Sequence, residues 1–363
     1  MTSGFSPEVG GVEAYVRSLA HELHRLNCEV DVITQCPKGK GTEWGSLPQA
    51  VPGVSVLRFD DWTGSRQFRV APALWKYLRQ NRRQYDVVHA HNFHGSPAWM
   101  AAMATDCRFV FTPYYHGGGH TPSSKLLHRP YDVMARRILK RASFVLCVSD
   151  AERSQLVRDY PTVEGRTYRV GIGVDIEGIV NAVPFELDQP VVLVTGRLEA
   201  YKQVEQVIEA FALCSVDAQL IVIGTGPLKD QIAGRVHQLG IDDRVQMLGR
   251  LDDASTRRWQ RSAKTVVSLS TSESFGLGIA EAVVAGARVV VSDIPAHREV
   301  SSMSGGVFEF VPADADADDI ATALGRALSA PPPIGGEWTV PSWREVARLN
   351  LDYYEKAVSA ATI

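Results

Sequence analysis

Two doubly wound α/β domains in tandem are the fold class this sequence predicts. Three observations carry it. Short runs of β-branched residues recur along the chain, with helix-period segments between them. The runs are apolar throughout rather than alternating, the pattern of parallel strands buried on both faces. The pattern breaks near residues 176–187 and then restarts, so the 363 residues fall into two halves, each long enough to bury its own core.

In the first half, strands are expected at Val30–Thr34, Val87–Ala90, Phe109–Thr112 and Phe144–Val148. Helices are expected at Val12–Leu26, Ala71–Arg83, Pro97–Ala104 and Tyr131–Arg141. A doubly wound domain opens with a strand that leads into a glycine-rich loop. Here Gly10-Gly11 is preceded only by a stretch containing Met1–Phe5, so the first strand is very short or the sequence starts inside the natural one. The second half repeats the alternation. Strands are expected at Pro190–Thr195, Leu220–Ile223, Val245–Leu248, Thr265–Leu269 and Arg288–Ser292, and helices at Val204–Leu213, Pro227–Leu239, Ala254–Ala263 and Gly278–Ala285. Ala330-Pro-Pro-Pro-Ile-Gly-Gly336 reads as a stiff linker. The amphipathic segment Trp343–Ala360 beyond it is a tail able to cross back onto the first domain. The expected domains are 1–178, with 342–363 packed on it, and 179–341.

Composition narrows the function classes. With 45% hydrophobic and 22% charged residues the chain is neither disordered nor collagenous. It has no apolar run of the ~18 residues a membrane span needs. The first residues lack the basic stretch and apolar core of a signal peptide. Five scattered cysteines without a Cys-x-x-Cys pair argue against a disulfide framework or zinc ribbon and suit a reducing cytoplasm. The net charge of −3 divides into +5 for residues 1–178 and −8 for the rest. The basic half could meet an anionic partner or a membrane surface, or could be a set of solvated faces. Arg66, Arg69, Lys76, Arg79, Arg82 and Arg83, with Arg136–Arg141, form its basic cluster. Nothing in it is a nucleic-acid motif.

The strongest motif is Ser270–Ala282. It follows an apolar strand and opens a helix with Gly276 and Gly278. The carboxyl edge of a parallel sheet and the unsatisfied N–H groups of a helix start meet there, which suits phosphate oxygens. Glu273 in the loop and Glu281 in the helix should face different parts of one ligand; the plainer reading is a helix cap with acids complementing its dipole. Gly196-Arg-Leu-Glu-Ala-Tyr-Lys202 lies beyond another strand end. Its Arg197 and Lys202 suit a pyrophosphate, or simply a charged turn. Gly10-Gly11 and Gly224-Thr-Gly226-Pro227 allow close backbone approach, though each alone is most often a turn. His89, His91, His94, His116 and His120 crowd one stretch without supporting carboxylates, so a structural or substrate-lining role is expected rather than a metal. Trp62, Trp75 and Trp99 could line a sugar site or fill core.

Together these segments resemble the family 4 glycosyltransferases, retaining enzymes of the GT-B fold. The resemblance rests on Pro7–Glu13, Gly196–Lys202, Gly224–Pro227 and Glu273–Glu281, in family order, the last matching a Glu–seven residues–Glu signature. Val148-Ser-Asp150, Gly173-Val-Asp175 and Ser342–Ala347 are similar to further family segments. It implies that Arg197 and Lys202 clamp the donor diphosphate. Glu273 would bind hydroxyls of the donor sugar. Backbone N–H groups of Phe275, Gly276 and Leu277 would hold sugar and phosphate, and Glu281 the ribose. Gly11 would let the loop approach the phosphate, and His116, with His120 as the acceptor-side alternative, would lie near the reactive carbon. The base is expected near Gly226 and Arg250.

The implied reaction moves a sugar from a nucleoside diphosphate sugar, UDP ahead of GDP, to a small-molecule, glycan or lipid-linked hydroxyl. Neither cofactor nor metal is expected, because two cations and a helix start can stabilise the leaving diphosphate. A nucleotide-sugar 2-epimerase of the same fold is the alternative, with a phosphorolytic enzyme and a metal hydrolase behind it. The expected compartment is the cytoplasm, with weak association at the inner membrane face through the basic half. Oligomeric state is not legible.

Overall fold

The computed structural model describes residues 1–6, 10–41, 51–63, 69–93, 95–104, 108–115, 117, 122–331, 333 and 339–359, and for 122–131 the backbone alone. The chain forms two compact units, Met1–Gly173 with Pro341–Ile363, and Val174–Val340.

The first unit contains α1 (Gly11–Arg25), β1 (Asp31–Cys36), β2 (Ser55–Asp60), α2 (Pro72–Asn81), β3 (Val87–His91), α3 (Ser96–Ala104), β4 (Arg108–Thr112), α4 (Pro122–Arg141), β5 (Phe144–Cys147), α5 (Asp150–Asp159) and β6 (Thr167–Arg169). Strands β1 and β2 pair in parallel, and β3-β4-β5-β6 form a second parallel sheet. Between the two lie Met1 and Thr2. Thr2 bridges Thr34 in parallel, while His91 donates its N–H to Met1 O at 2.9 Å. The first strand is therefore present only as this bridge. Helix α1 buries Tyr15, Val16, Leu19, Ala20 and Leu23, an i, i+4 stripe that faces the core. Strand β2 escaped the sequence reading because Ser-Val-Leu-Arg-Phe-Asp mixes charges into an edge strand, only half-buried along its length. Helix α4 begins at Pro122 rather than at the expected Tyr131.

The tail completes this unit. Helix α13 (Trp343–Ser359) buries Val346, Ala347, Asn350 and Ala357. Trp343 meets Tyr15 edge-on, with ring centroids 5.3 Å apart. A Cβ on Gly173 would lie 2.5 Å from Trp343 Cα, so that crossing needs glycine.

The second unit contains α6 (Ile176–Val180), β7 (Val191–Thr195), α7 (Val204–Leu213), β8 (Gln219–Ile223), α8 (Lys229–Gln238), β9 (Val245–Gly249), α9 (Asp253–Ser262), β10 (Ala263–Ser268), α10 (Leu277–Ala285), β11 (Arg288–Ser292), α11 (Pro295–Met303), β12 (Phe308–Val311) and α12 (Ala317–Ser329). Its six parallel strands run β12-β11-β10-β7-β8-β9. Numbered within the unit, this is the 3-2-1-4-5-6 order of dinucleotide-binding sheets, and the strand order reverses between β7 and β10. The core is aliphatic, with Val192, Leu193, Leu220, Ile221, Val289 and Val290 all fully buried. Helix α6 belongs here: Asp175 caps it through Gly178 N–H at 3.0 Å and pairs with Arg257 of α9 at 2.5 Å. The units consequently meet in sequence at Gly173/Val174, ahead of the 178/179 boundary expected from the loss of periodicity. No helix among the described residues is long and apolar enough to cross a membrane.

Candidate active site

The reversal between β7 and β10 places two loops side by side at the carboxyl ends of the strands, where sheets of this order take their ligands. One loop follows β7 and holds Gly196, Arg197 and Lys202. The other follows β10 and holds Ser270–Gly276. Thr271 N–H donates to Tyr201 O at 2.9 Å and ties them together. Lys202 Nζ donates to Glu273 Oε1, forming an ion pair whose side chains are 20% and 16% exposed. The same ammonium lies 5.2 Å from the Tyr201 ring centroid. Burial, with Glu273 nearby, pushes the Tyr201 phenol up to about 12. Arg197 turns elsewhere: it pairs with Glu199 and remains 65% exposed. The two cations share a loop but are held by different carboxylates.

Glycines shape the cradle. Gly276 caps α10 with φ 99°, in the left-handed region that favours glycine. The first N–H groups of α10 have no partner within their helix, and Phe275, Gly276 and Leu277 lead into them. The Phe275 side chain itself is buried in the core. Beneath the turn, His297 Nδ1 donates to Ser292 O at 2.8 Å, and Ser292 Oγ donates to Ser270 O at 2.5 Å. Burial lowers the His297 pKa, so the ring is a neutral support. Gly224 and Gly226 have a packing cause. A Cβ on Gly224 would sit 1.7 Å from Gly196 O, and one on Gly226 would sit 2.3 Å from Leu198 O. Arg250 stands exposed just past β9, the outer strand on that side of the sheet.

Glu281 lies deeper. Gln260 Nε2 donates to its Oε2 at 2.8 Å. Burial raises its pKa to about 7, against the opposing effects of the Gln260 hydrogen bond and of Arg257. This carboxyl therefore holds its proton to a higher pH than an exposed glutamate does. Hydroxyl donors from a ligand would favour the ionised form.

Two family models cover nearly all of the chain. Glycosyltransferase Family 4 matches residues 9–177, and Glycosyl transferases group 1 matches residues 175–333. The chain belongs to glycosyltransferase family 4. Among curated relatives, a D-inositol 3-phosphate glycosyltransferase of Xylanimonas cellulosilytica is 26% identical, over 81% of this chain and 78% of the relative. The fold is GT-B. The sucrose-phosphate synthase of Thermosynechococcus elongatus superposes with a TM-score of 0.75 at 20% identity, covering 99% of this chain and 96% of its own. Anabaena HepE, solved in complex with UDP, gives 0.68 at 18% identity, covering 99% and 97%.

The first unit of this glycosyltransferase answers some expectations and corrects others. Gly11 opens α1, and a Cβ on it would meet nothing within 4 Å. His94, His116 and His120 lie outside the described residues. His89 and His91 are buried side by side, ring centroids 4.1 Å apart. His89 bonds Tyr354 and Thr112 at 2.6 and 2.8 Å, and His91 bonds Tyr114 at 3.0 Å. Burial lowers both pKa values, so the pair is neutral. No group of three or more metal-ligating side chains is gathered among the described residues. The basic cluster loses a member: Arg69 is 6% exposed and donates to Ser3 O at 3.1 Å, because its guanidinium satisfies backbone carbonyls inside the unit. Trp75 and Trp99 stack in the core at 5.6 Å, whereas Trp62 is 75% exposed.

Two structural carboxylate and histidine roles escaped the sequence reading. Glu152 accepts N–H bonds from Tyr115 and Val148, each at 2.6 Å, and so joins the loops after β4 and β5. Its signal was the capping box Ser149-x-x-Glu152, in which Ser149 Oγ accepts from Glu152 N–H at 2.9 Å. His297 was signalled by Pro295 at the start of α11, a common first helical residue.

Proposed function

We propose that the chain is a retaining hexosyltransferase. It moves a sugar from a nucleoside diphosphate sugar, UDP ahead of GDP, to a hydroxyl of a glycan, small-molecule or lipid-linked acceptor, without a metal ion. The Lys202–Glu273 pair at the switch point is the observation that carries this reading. Within the pair each charge neutralises the other. An arriving diphosphate competes for the ammonium, and Glu273 is then released to accept hydrogen bonds from sugar hydroxyls. The arrangement responds to the charge the reaction creates, positive at the anomeric carbon and negative on the leaving diphosphate.

The proposed roles are these. Lys202, with Arg197 swung in from solvent, holds the diphosphate. The N–H groups of Phe275, Gly276 and Leu277 at the start of α10 bind phosphate and sugar oxygens. Glu281 takes the ribose hydroxyls, Gly226 and Arg250 serve the base, and Gly11 is assigned to phosphate. The role assigned to His116, with His120 as the alternative, is to serve the reactive carbon. The bond from that carbon to the phosphate oxygen breaks as the bond to the acceptor oxygen forms on the same face. The acceptor proton passes to the leaving phosphate. UDP in the HepE complex supports uracil as the first base to try.

A thermal-shift screen of UDP, GDP and ADP, with and without a chelator, tests the reading. A diphosphate at 100 times its Kd adds about 2.7 kcal/mol of apparent stability. A shift with UDP that the chelator leaves unchanged is expected. A shift with GDP alone would replace the base, a shift that requires a divalent ion would overturn metal independence, and no shift with any nucleotide would sink the donor site. Product anomeric configuration, read by NMR, tests retention.

A further inference from the structure

Helix α9 turns a glutamine inwards. Of its ten residues Gln260 is the buried one, 3% exposed. An amide taken out of water needs a polar partner, and the partner of Gln260 stands on the next helix. Its Nε2 donates to Glu281 Oε2 at 2.8 Å. Asp253, Arg257 and Gln260 recur at i, i+4 and i+7 and so share one face of α9. Arg257 pairs with Asp175, the cap of α6. Arg257, Asp253 and Asp175 are the charged groups whose fields reach Glu281.

Glu281 stands one turn inside α10, which starts at Leu277. Side-chain bonds on a helix lean towards its N-terminus. This carboxyl therefore belongs to the end of α10 where Phe275, Gly276 and Leu277 present their N–H groups. Its two oxygens are used unequally: Gln260 holds Oε2, and no group of the described residues bonds Oε1. An ionised carboxylate has about four acceptor positions, so three remain once Gln260 has taken one. Burial works against the ionised form, while the Gln260 hydrogen bond and Arg257 work for it. Packing α9 on α10 would be served as well by an aliphatic side chain at 260. The buried amide is needed only because a carboxyl is kept at 281.

We propose that Gln260 is a positioning residue of the donor site: by pinning Glu281 Oε2 it holds the carboxylate in one orientation with Oε1 open, and so selects a ligand with two neighbouring sugar hydroxyls over one with a single hydroxyl. The inference rests on the assignment of Glu281 to the ribose. The 2′- and 3′-hydroxyls of a ribose would each donate to this carboxylate, one to Oε1 and the other to the remaining lone pair of Oε2. A 2′-deoxyribose fills only one of these positions, and a site built to bond a hydroxyl discriminates against the analogue that lacks it. Without Gln260 the carboxylate loses both its fixed orientation and a hydrogen bond that favours its charge, and the preference fades. Gln260 itself touches no ligand; it acts through Glu281.

The test measures the Kd of UDP and of 2′-deoxy-UDP by calorimetry on the full chain from pH 6 to pH 9, with GDP and 2′-deoxy-GDP treated in the same way. Each pair shares its diphosphate, so the titration of the phosphate cancels in the ratio of the two constants. Wild type is expected to prefer the ribonucleotide. The ratio should rise about tenfold between pH 6 and pH 8, the factor by which a carboxyl titrating near 7 gains charge. Gln260→Met keeps the length of the side chain and removes the amide. Its ratio should fall about fivefold at pH 7, the effect of raising that midpoint by about one pH unit, and the deficit should shrink by pH 9. An unchanged ratio in Gln260→Met would overturn the proposal. So would a deficit equal at every pH, which would make Gln260 a packing residue. Wild type that binds both nucleotides of a pair equally would remove Glu281 from the ribose, and binding of no nucleotide would instead sink the donor site itself. Should Gln260→Met fail to fold, wild type labelled with 15N-glutamine replaces it. The Gln260 side-chain amide signal should then move with pH through a midpoint near 7, and move further with UDP than with 2′-deoxy-UDP. A signal indifferent to pH and to both nucleotides counts equally against the proposal.

Discussion

Lys202 and Glu273 form an ion pair across 71 residues of chain, one from the loop after β7 and the other from the loop after β10. Neither loop makes sense of its charge alone. The strand order puts β7 next to β10, and that adjacency brings two separate turns together as one candidate site.

Lys202→Ala should lower kcat/KM by at least about 100-fold, the usual effect of removing one group that stabilises developing negative charge. Tm should move by only a few degrees, because the pair is partly solvated. Glu273→Gln should behave similarly. Transfer at the wild-type rate by either folded variant, measured with the donor found in the thermal-shift screen, would remove the pair from the mechanism.

Glu281 links stability to pH. Its folded-state pKa of about 7 lies above the ordinary 4.5, so the folded chain binds that proton more tightly than the unfolded chain. The stabilisation is full below about pH 4.5 and is lost as pH rises through 7. Glu281→Gln, which stays neutral, should therefore gain about 3 kcal/mol over wild type at pH 8 and no more than about 1 kcal/mol at pH 5, while binding nucleotide more weakly. Urea unfolding at the two pH values checks the first half and nucleotide titration the second. A variant no more stable than wild type at pH 8 would contradict the buried carboxylate.

Gly224 and Gly11 should separate under the same change. Gly224→Ala drives a methyl to within 1.7 Å of Gly196 O at φ 150°, so loss of soluble protein or a drop of several degrees in Tm is expected. Gly11→Ala meets open space, and its Tm should match wild type. If its transfer rate nevertheless falls, the methyl obstructs a ligand rather than the fold. Full activity in Gly11→Ala would take Gly11 out of the site.

Glu152→Gln should destabilise the first unit by about 2 kcal/mol, since one of the two N–H groups it receives would face an amide NH2. Thermal denaturation should show a fall of about 4–8 °C. An unchanged Tm would mean that the loops after β4 and β5 do not depend on this carboxylate.

Much of this protein was legible in one dimension. The aliphatic runs read at 190–195, 220–223 and 288–292 became β7, β8 and β11, because a strand buried on both faces is apolar along most of its length. The loops with Arg197, Lys202, Glu273 and Gly276 were found at strand ends for the same reason. Elements that break the rule were missed. β2 carries Arg58 and Asp60 on a half-exposed edge, and β12 is a four-residue edge strand.

The sequence by itself determined the fold class and the order of the elements it detected, and it marked the candidate loops at strand ends, since periodicity and turn composition are local properties. Tertiary structure alone decided the partnerships. It gave Lys202 to Glu273 but Arg197 to Glu199, and it drew Arg69 out of a basic surface into a carbonyl-lined interior. It raised Glu281 to about 7 by burying it beside Gln260. Each of these depends on which distant segment lies within hydrogen-bonding distance and on how much water remains. Charge pairing and desolvation are set by neighbours in space, and the strand order, not the residue order, chooses the neighbours.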